Sequence, residues 1–237
     1  MWDLNPFFNI RNNFSIRTGN PELLPEFSDS YEVTGIYILD KASLNMGIYH
    51  RYTTDVVERV TTFEDNVGIS TPLNIGTNRT TGMEVNAKYS PAKWLTLNGD
   101  FNYNYFNRQG TFEEISFDFN ADQWSSRITS KLKLPADIDV EISGNYRSKY
   151  KTFQREMVAN LFADLGIRKK IMKGKTILNL SIRDVFFSRF RESETYNQAG
   201  FYLYNRSQRG GRYVTFGISY GFGKGEAMEF SGQKRHH

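Results

Sequence analysis

Few residues in this 237-residue chain are of types that could do chemistry, and their spacing matters more than their number. Gly217-Ile218-Ser219-Tyr220-Gly221 fits the G-x-S-x-G pattern of a hydrolase nucleophile elbow. That elbow needs a strained serine at a strand-to-helix turn. Here the pattern sits inside an alternating run, so Ser219 reads as a small side chain on the polar face of a strand. His50, His236 and His237 are the histidines, and there is no cysteine, so a metal site would have to join carboxylates to His50 alone. His50 reads instead as a polar residue in a strand or at a rim. Glu113, Glu114 and Asp118 share one loop and have the oxygen chemistry of a cation site, but solvated loop charge accounts for them. Gly223-Lys224-Gly225 lacks the upstream glycine and following hydroxyl of a phosphate loop. The expectation is a protein without catalytic centre, metal or cofactor, and not an enzyme.

What remains is charge repeated at every second position. Glu84, Lys88, Asp100, Arg127, Lys131, Glu141, Arg147 and Arg168 all fall on one side of alternating segments, as expected for residues lining an aqueous lumen. A second group, Tyr202, Tyr204, Arg206, Arg209 and Arg212, lies in or beside a long polar segment, where aromatic rings and guanidinium groups suit capture of a ligand.

The elements that must position these groups are strands. Met83, Val85, Ala87 and Tyr89 alternate with Glu84, Asn86 and Lys88. Similar runs cover Leu95–Tyr105, Trp124–Leu134, Val140–Arg147 and Val214–Phe222, with weaker ones at about 30–39, 44–57, 159–170 and 176–186. This predicts about nine strands, several near the roughly 9–11 residues that cross a bilayer at a tilt. Short turns near Asp40–Ser43, Ser90–Lys93, Pro135–Asp137 and Lys173–Lys175 alternate with long polar loops at 58–80, 107–118, 148–158 and 187–211. That asymmetry belongs to membrane barrels, with short turns on one side and long loops on the other. Tyr89, Trp94, Tyr105, Trp124 and Tyr146 sit where interfacial girdles would run.

Composition agrees. Mean hydropathy is −0.55, yet 15% of residues are aromatic, and a transmembrane strand needs only every second side chain apolar. No apolar run approaches the ~20 residues of a spanning helix. The net charge of +4 is spread along the chain, which argues against a nucleic-acid face. The chain opens without the basic and apolar regions of a signal peptide.

Three segments carry a resemblance. Leu4-Asn5-Pro6-Phe7, then Thr18-Gly19-Asn20-Pro21-Glu22-Leu23-Leu24-Pro25-Glu26 and Ser30-Tyr31-Glu32, resembles a segment of TonB-dependent receptors, in particular the Bacteroidetes-type outer-membrane β-barrel proteins. Asn74-Ile75-Gly76 with Gly82-Met83-Glu84 is similar to a later strand entry, and Arg212–Gly223 is similar to the terminal strand. In it Phe216, Ile218, Tyr220 and Phe222 would be the signal read by the barrel-assembly machinery. The resemblance implies an all-β, antiparallel, up-and-down transmembrane barrel of about 22 strands, of which this chain would be an incomplete C-terminal portion. Residues 1–28 would be an extracellular loop entering the barrel, 29–223 the barrel strands, and 224–237 a disordered periplasmic tail. It further implies nutrient uptake across the bacterial outer membrane (siderophore, glycan, peptide or vitamin), a plug domain and upstream strands outside this chain, energy from the TonB complex, and a possible surface lipoprotein partner. The alternatives are a small standalone barrel with a structural or adhesive role, and a soluble glycan-binding β-sandwich.

Overall fold

In a computed structural model of the chain, residues 3–112, 114–196, 200, 202–208 and 211–222 are described. They form seventeen strands: β1 (Asn9–Asn12), β2 (Ser15–Arg17), β3 (Phe27–Leu39), β4 (Ala42–Thr54), β5 (Val57–Glu64), β6 (Val67–Asn74), β7 (Thr77–Ala92), β8 (Leu95–Phe112), β9 (Ile115–Leu134), β10 (Ile138–Arg147), β11 (Tyr150–Lys151), β12 (Arg155–Met157), β13 (Asn160–Ile171), β14 (Thr176–Arg183), β15 (Phe190–Tyr196), β16 (Tyr202–Gln208) and β17 (Tyr213–Tyr220). The largest sheet has nine strands in the order β17-β14-β13-β10-β9-β8-β7-β4-β3, and its neighbours are all antiparallel. This sheet, the wall, is open: β3 and β17 are its edges and do not pair with each other.

Registered partners across an antiparallel pair share a face, so each row of the wall can be read directly. One row runs Met46, Val85, Phe101, Ser126, Tyr146, Leu161, and another runs Leu132, Val140, Ile167, Leu180, Phe216. The opposite face has Asn45, Asn86, Asp100, Arg127, Asn145 and Phe162 in one row. The apolar face has no protein layer over it. Val33 is 78% exposed, Ile48 66% and Ile128 60%. A water-soluble sandwich would cover these side chains with a second sheet; here they are left for another apolar medium.

The wall strands are joined at one end by short turns, where Ala136 (φ 62°), Asp137 (55°), Met172 (55°) and Lys173 (55°) adopt left-handed backbone. At the other end stands a cap of two four-stranded sheets, ordered β1-β2-β6-β5 and β11-β12-β15-β16, beside the extended tip of the β8–β9 hairpin. Two expectations are corrected by this cap. Among the described residues the strand count is seventeen rather than nine; the segments 58–80, 107–118 and 187–211 are largely strands rather than polar loops, and 148–158 contains the short β11 and β12. Residues 9–17, expected within a loop, form the β1–β2 hairpin, and β2 pairs in parallel with β6.

Burial is inverted relative to a soluble domain. Among the described residues the buried apolar side chains are Val56, Val60, Pro72, Ile75, Phe106, Met157 and Ile177, and all but Ile177 lie in the cap or at its junction with the wall. The Gln154 side chain joins the two cap sheets, accepting from Thr61 N at 2.7 Å and donating to Thr61 O at 3.3 Å. Phe153 stacks 4.4 Å from Phe117 of the β9 tip. Ion pairs Arg59–Asp3 and Arg108–Glu58 tie β5 to the N-terminal segment and to β8. The Arg59 hydrogen bond holds the Asp3 carboxyl below its usual range.

One glycine in the wall is required by a neighbour. Tyr49 of β4 lies over Gly82, its registered partner on β7, where an added Cβ would meet the ring and come within 2.7 Å of the Tyr103 carbonyl. Gly82→Ala should therefore displace Tyr49 and lower stability by about 1–3 kcal/mol, the cost of overpacking. Chemical unfolding of the folded variant checks this, and an unchanged midpoint would rule out the close approach.

Candidate functional site

The polar face of the wall collects the lumen candidates by period-two geometry. Glu84, Lys88, Asp100, Arg127, Lys131, Glu141, Arg147 and Arg168 all stand on this one face, since their registered partners are polar-face residues such as Asn102, Asn98, Asn145, Ser125 and Asp139. They divide into two groups along the strands. Lys131 pairs with Glu141 at 3.2 Å and Arg168 with Asp139 at 2.6 Å, forming cross-strand ion pairs nearer the short turns. At their exposure such pairs contribute about 0–1 kcal/mol each. Lys88 lies at that end too, opposite Asn98.

Glu84, Asp100, Arg127 and Arg147 instead line a concavity of about 820 Å³ where the wall meets the cap. Asn102 donates to Glu84 at 2.9 Å, and Arg127 Nε donates to Asn145 at 2.7 Å. Asp100 sits directly opposite Arg127. On the side of the cap the basin is lined by Arg189, Phe190, Arg191 and Glu192, and it stays open to solvent. Its lining therefore holds both signs of charge at short range, together with asparagine amides that both donate and accept.

The cap side of the basin depends on a turn that alternation does not reveal. Asp184 directly follows β14, is 1% exposed and has φ of 55°. Its carboxylate accepts from Ser188 N at 2.8 Å and Arg189 N at 3.1 Å, and its own N–H donates to Asp164 at 2.8 Å. Asn160 adds two donations, to Ser188 O at 3.1 Å and Phe190 O at 2.7 Å. Together these hold Arg189 with its guanidinium 4.5 Å from the Phe162 ring. No spacing in the sequence marks this turn, because Asp184 is held to backbone N–H groups that every residue but proline offers.

The ligand candidates of the long segment lie on β16, an edge of the second cap sheet. Arg206 pairs with Glu192 at 2.9 Å and its guanidinium lies 4.0 Å from the Phe190 ring. Tyr202 and Tyr204 are exposed, and Tyr202 lies 5.4 Å from Tyr196. Arg212 is elsewhere, donating to Val185 O at 2.7 Å. Arg209 and the tail 224–237 lie outside the described residues, as do Glu113, His236 and His237.

Tyr196 donates to Glu194, and this hydrogen bond, ahead of burial, pushes its phenol up to about 12. The neutral phenol is the favoured form, so the contact persists below pH 10 and is lost as pH rises through 12. Glu194→Gln should return the Tyr196 titration toward that of an ordinary tyrosine. The difference in phenolate absorbance between wild type and variant at pH 11 checks it, with no difference as the contrary result.

Of the remaining motifs, Ser219 lies within β17 on the polar face, opposite Ile177, so no elbow exists. His50 faces the apolar side near the cap, with its Nδ1 2.9 Å from Thr81 Oγ1. Asp118 is held by Asn107 at 2.8 Å and Gln109 at 3.1 Å. Among the described residues no three His, Asp or Glu side chains gather to hold a metal. Phe216, Ile218 and Tyr220 face the apolar side of the edge strand β17, and Phe222 beyond it is 89% exposed.

The aromatic side chains occur at two levels. Tyr89 and Trp94 lie at the short-turn end; Tyr105, Trp124 and Tyr146 lie toward the cap, with the last two rings 4.4 Å apart. Leu97, which faces Tyr89, and Tyr105 are eight residues apart on β8, roughly 26 Å along the strand. At the roughly 35–45° tilt of barrel strands that length gives an apolar band roughly 20 Å high, and such a band, bounded by aromatic residues and backed by a charged face, defines the wall of a membrane-spanning β-barrel. The chain matches the outer membrane protein beta-barrel family over residues 1–220, and it belongs to that family, a family of the bacterial outer membrane. No curated protein and no solved structure matches it.

Proposed function

We propose that this chain is the C-terminal wall of a TonB-dependent outer-membrane receptor that takes up a nutrient of the siderophore, glycan, peptide or vitamin class, and that it acts as a conduit rather than as an enzyme. The observation that carries this reading is the mixed-charge basin at the junction of wall and cap, on the polar face of the wall opposite its uncovered apolar face. A passage needs groups that hold a hydrated ligand without trapping it. Glu84, Asp100, Arg127 and Arg147 offer both signs of charge within one concavity, which the cap lines on one side.

The open edges supply the second half of the argument. β3 and β17 each present a row of unpaired backbone N–H and C=O groups, and each such group costs several kcal/mol in hydrocarbon. Further strands of a longer chain, on the order of a dozen, therefore close the sheet. A plug domain fills the lumen and contacts the TonB complex, and the barrel-assembly machinery reads the β17 terminus. A surface lipoprotein is a further partner at the cap. Nucleic acid has no part in this reading.

Cells carrying the complete protein should lose uptake of its nutrient when TonB is deleted, and should lose most of it when Arg127 and Arg147 are both changed to glutamate at equal surface abundance. Growth unaffected by TonB would overturn the reading. The 237-residue chain reconstituted alone should give no steady conductance in a planar bilayer, and a closed monomeric pore would instead favour the small standalone barrel.

A further inference from the structure

The exposed face of the second cap sheet gathers three carboxylates and only two cations. Its register sets Glu156 of β12 directly opposite Glu194 of β15, and Glu194 directly opposite Tyr204 of β16. Tyr196 lies opposite Tyr202, and Glu192 opposite Arg206. These residues therefore share one face, and like charges placed directly across a strand pair destabilise it. Two of the carboxylates have cations: Lys151 lies 3.7 Å from Glu156, and Arg206 lies 2.9 Å from Glu192. Glu194 instead takes its hydrogen bond from the neutral phenol of Tyr196. Among the described residues no lysine or arginine pairs with it.

Beside that carboxylate the rings of Tyr196 and Tyr202 stand 5.4 Å apart at an angle of 48°. The two are exposed at 46% and 55%, and Tyr204 at 46%. Exposed aromatic groups gathered on one face of a folded protein mark an interaction site. A tyrosine ring offers its negative π face to a cation placed over it, and the neighbouring carboxylate supplies the counter-charge. An anionic ligand would meet Glu194 and Glu156 and be repelled.

We propose that this face binds an organic cation, seated over the exposed faces of the Tyr196 and Tyr202 rings with Glu194 as its counter-ion. The site is separate from the wall basin and does not depend on the transport reading: binding without transport, or transport without binding, leaves the other conclusion in place. The same chemistry could come from a quaternary ammonium head group or from the primary amine of a peptide side chain or polyamine.

The test is calorimetric titration of the protein in detergent micelles, with the strands that close the sheet present. The probes are choline, Nα-acetyl-lysine methylamide, and 3,3-dimethylbutan-1-ol as the neutral isostere of choline. At least one of the two cations should bind about ten-fold more tightly than the isostere, the scale of a cation–π contact with a counter-ion. Choline ahead of the lysine derivative identifies a quaternary head group, and the reverse order identifies a primary amine. Glu194→Gln and Tyr202→Ala should each weaken that binding about ten-fold. Both substitutions are at the protein surface, and an unchanged unfolding midpoint verifies that the fold persists. Equal binding of cation and isostere, no binding of either cation, or a Glu194→Gln variant that binds as well as wild type would each overturn the proposal.

Discussion

Replacing Ile128 with arginine should cost about 2–4 kcal/mol of folding stability in a bilayer, the range for a cationic side chain on the lipid face near the midplane. Ile128 lies between Trp124 and Leu134 on the apolar face of β9, opposite Gly99 and Gly144, and is 60% exposed. Both partners are glycines, so no neighbouring side chain could shield the new charge. The next residue, Thr129, points to the other face, opposite Asn98 and Ser143. Thr129→Arg should therefore change stability by no more than about 0.5 kcal/mol. Urea titration of both variants in phospholipid vesicles, with the closing strands present, makes the comparison. Equal penalties at the two adjacent positions would mean that the faces do not meet different media.

The second large effect is expected at Asp184. Removing its carboxylate in Asp184→Ala strands the N–H groups of Ser188 and Arg189, which it now receives at 2.8 and 3.1 Å. Both hydrogen bonds are partly buried, so losing the two together costs about 1–3 kcal/mol. The alanine must also hold the φ of 55°, which disfavours residues with a bare Cβ. A total near 3–4 kcal/mol follows. Asp184→Asn keeps one acceptor oxygen and tolerates that backbone, so about 1 kcal/mol is expected. The same change should loosen the cap side of the basin, since Arg189 and Phe190 follow directly in the chain. Amide exchange at Ser188 and Arg189 reports this, and unaltered protection in the alanine variant would show that the turn is held by other means.

The wall was legible in the sequence because its two faces meet different surroundings. Along β9 and β10, Trp124, Ile128, Leu132, Val140 and Ile142 keep to alternate positions, with only serine or glycine between them on that face, because one face meets an apolar medium. The same logic gathered Glu84, Asp100, Arg127 and Arg147 before any contact was known. The cap was not legible for the opposite reason. Val57–Glu64 reads Val-Glu-Arg-Val-Thr-Thr-Phe-Glu, and neither of its faces is apolar, because each packs partly against protein and partly against water. Phe190–Tyr196 has the same mixed character, so Arg189 and Glu192 went unnoticed as basin residues. Gln154 gave no signal at all: its role as a bridge between sheets comes from contacts 93 residues apart. The expectation of loops at these places reflected the absence of a period, not the absence of strands.

The inverted burial also separates the two halves of the protein by what can dissolve them. Val60 at 1% exposed and its neighbours give the cap an ordinary aqueous interior, and urea weakens such an interior by solvating apolar and peptide groups. The wall has no comparable interior, and its apolar rows answer to the thickness and chain length of the surrounding lipid or detergent. Acyl-chain length and denaturant thus become independent handles on one chain. A purification that shortens the detergent to sharpen crystals would strain the wall and leave the cap folded, whereas a refolding protocol that lowers urea too slowly would leave the cap unformed above an inserted wall.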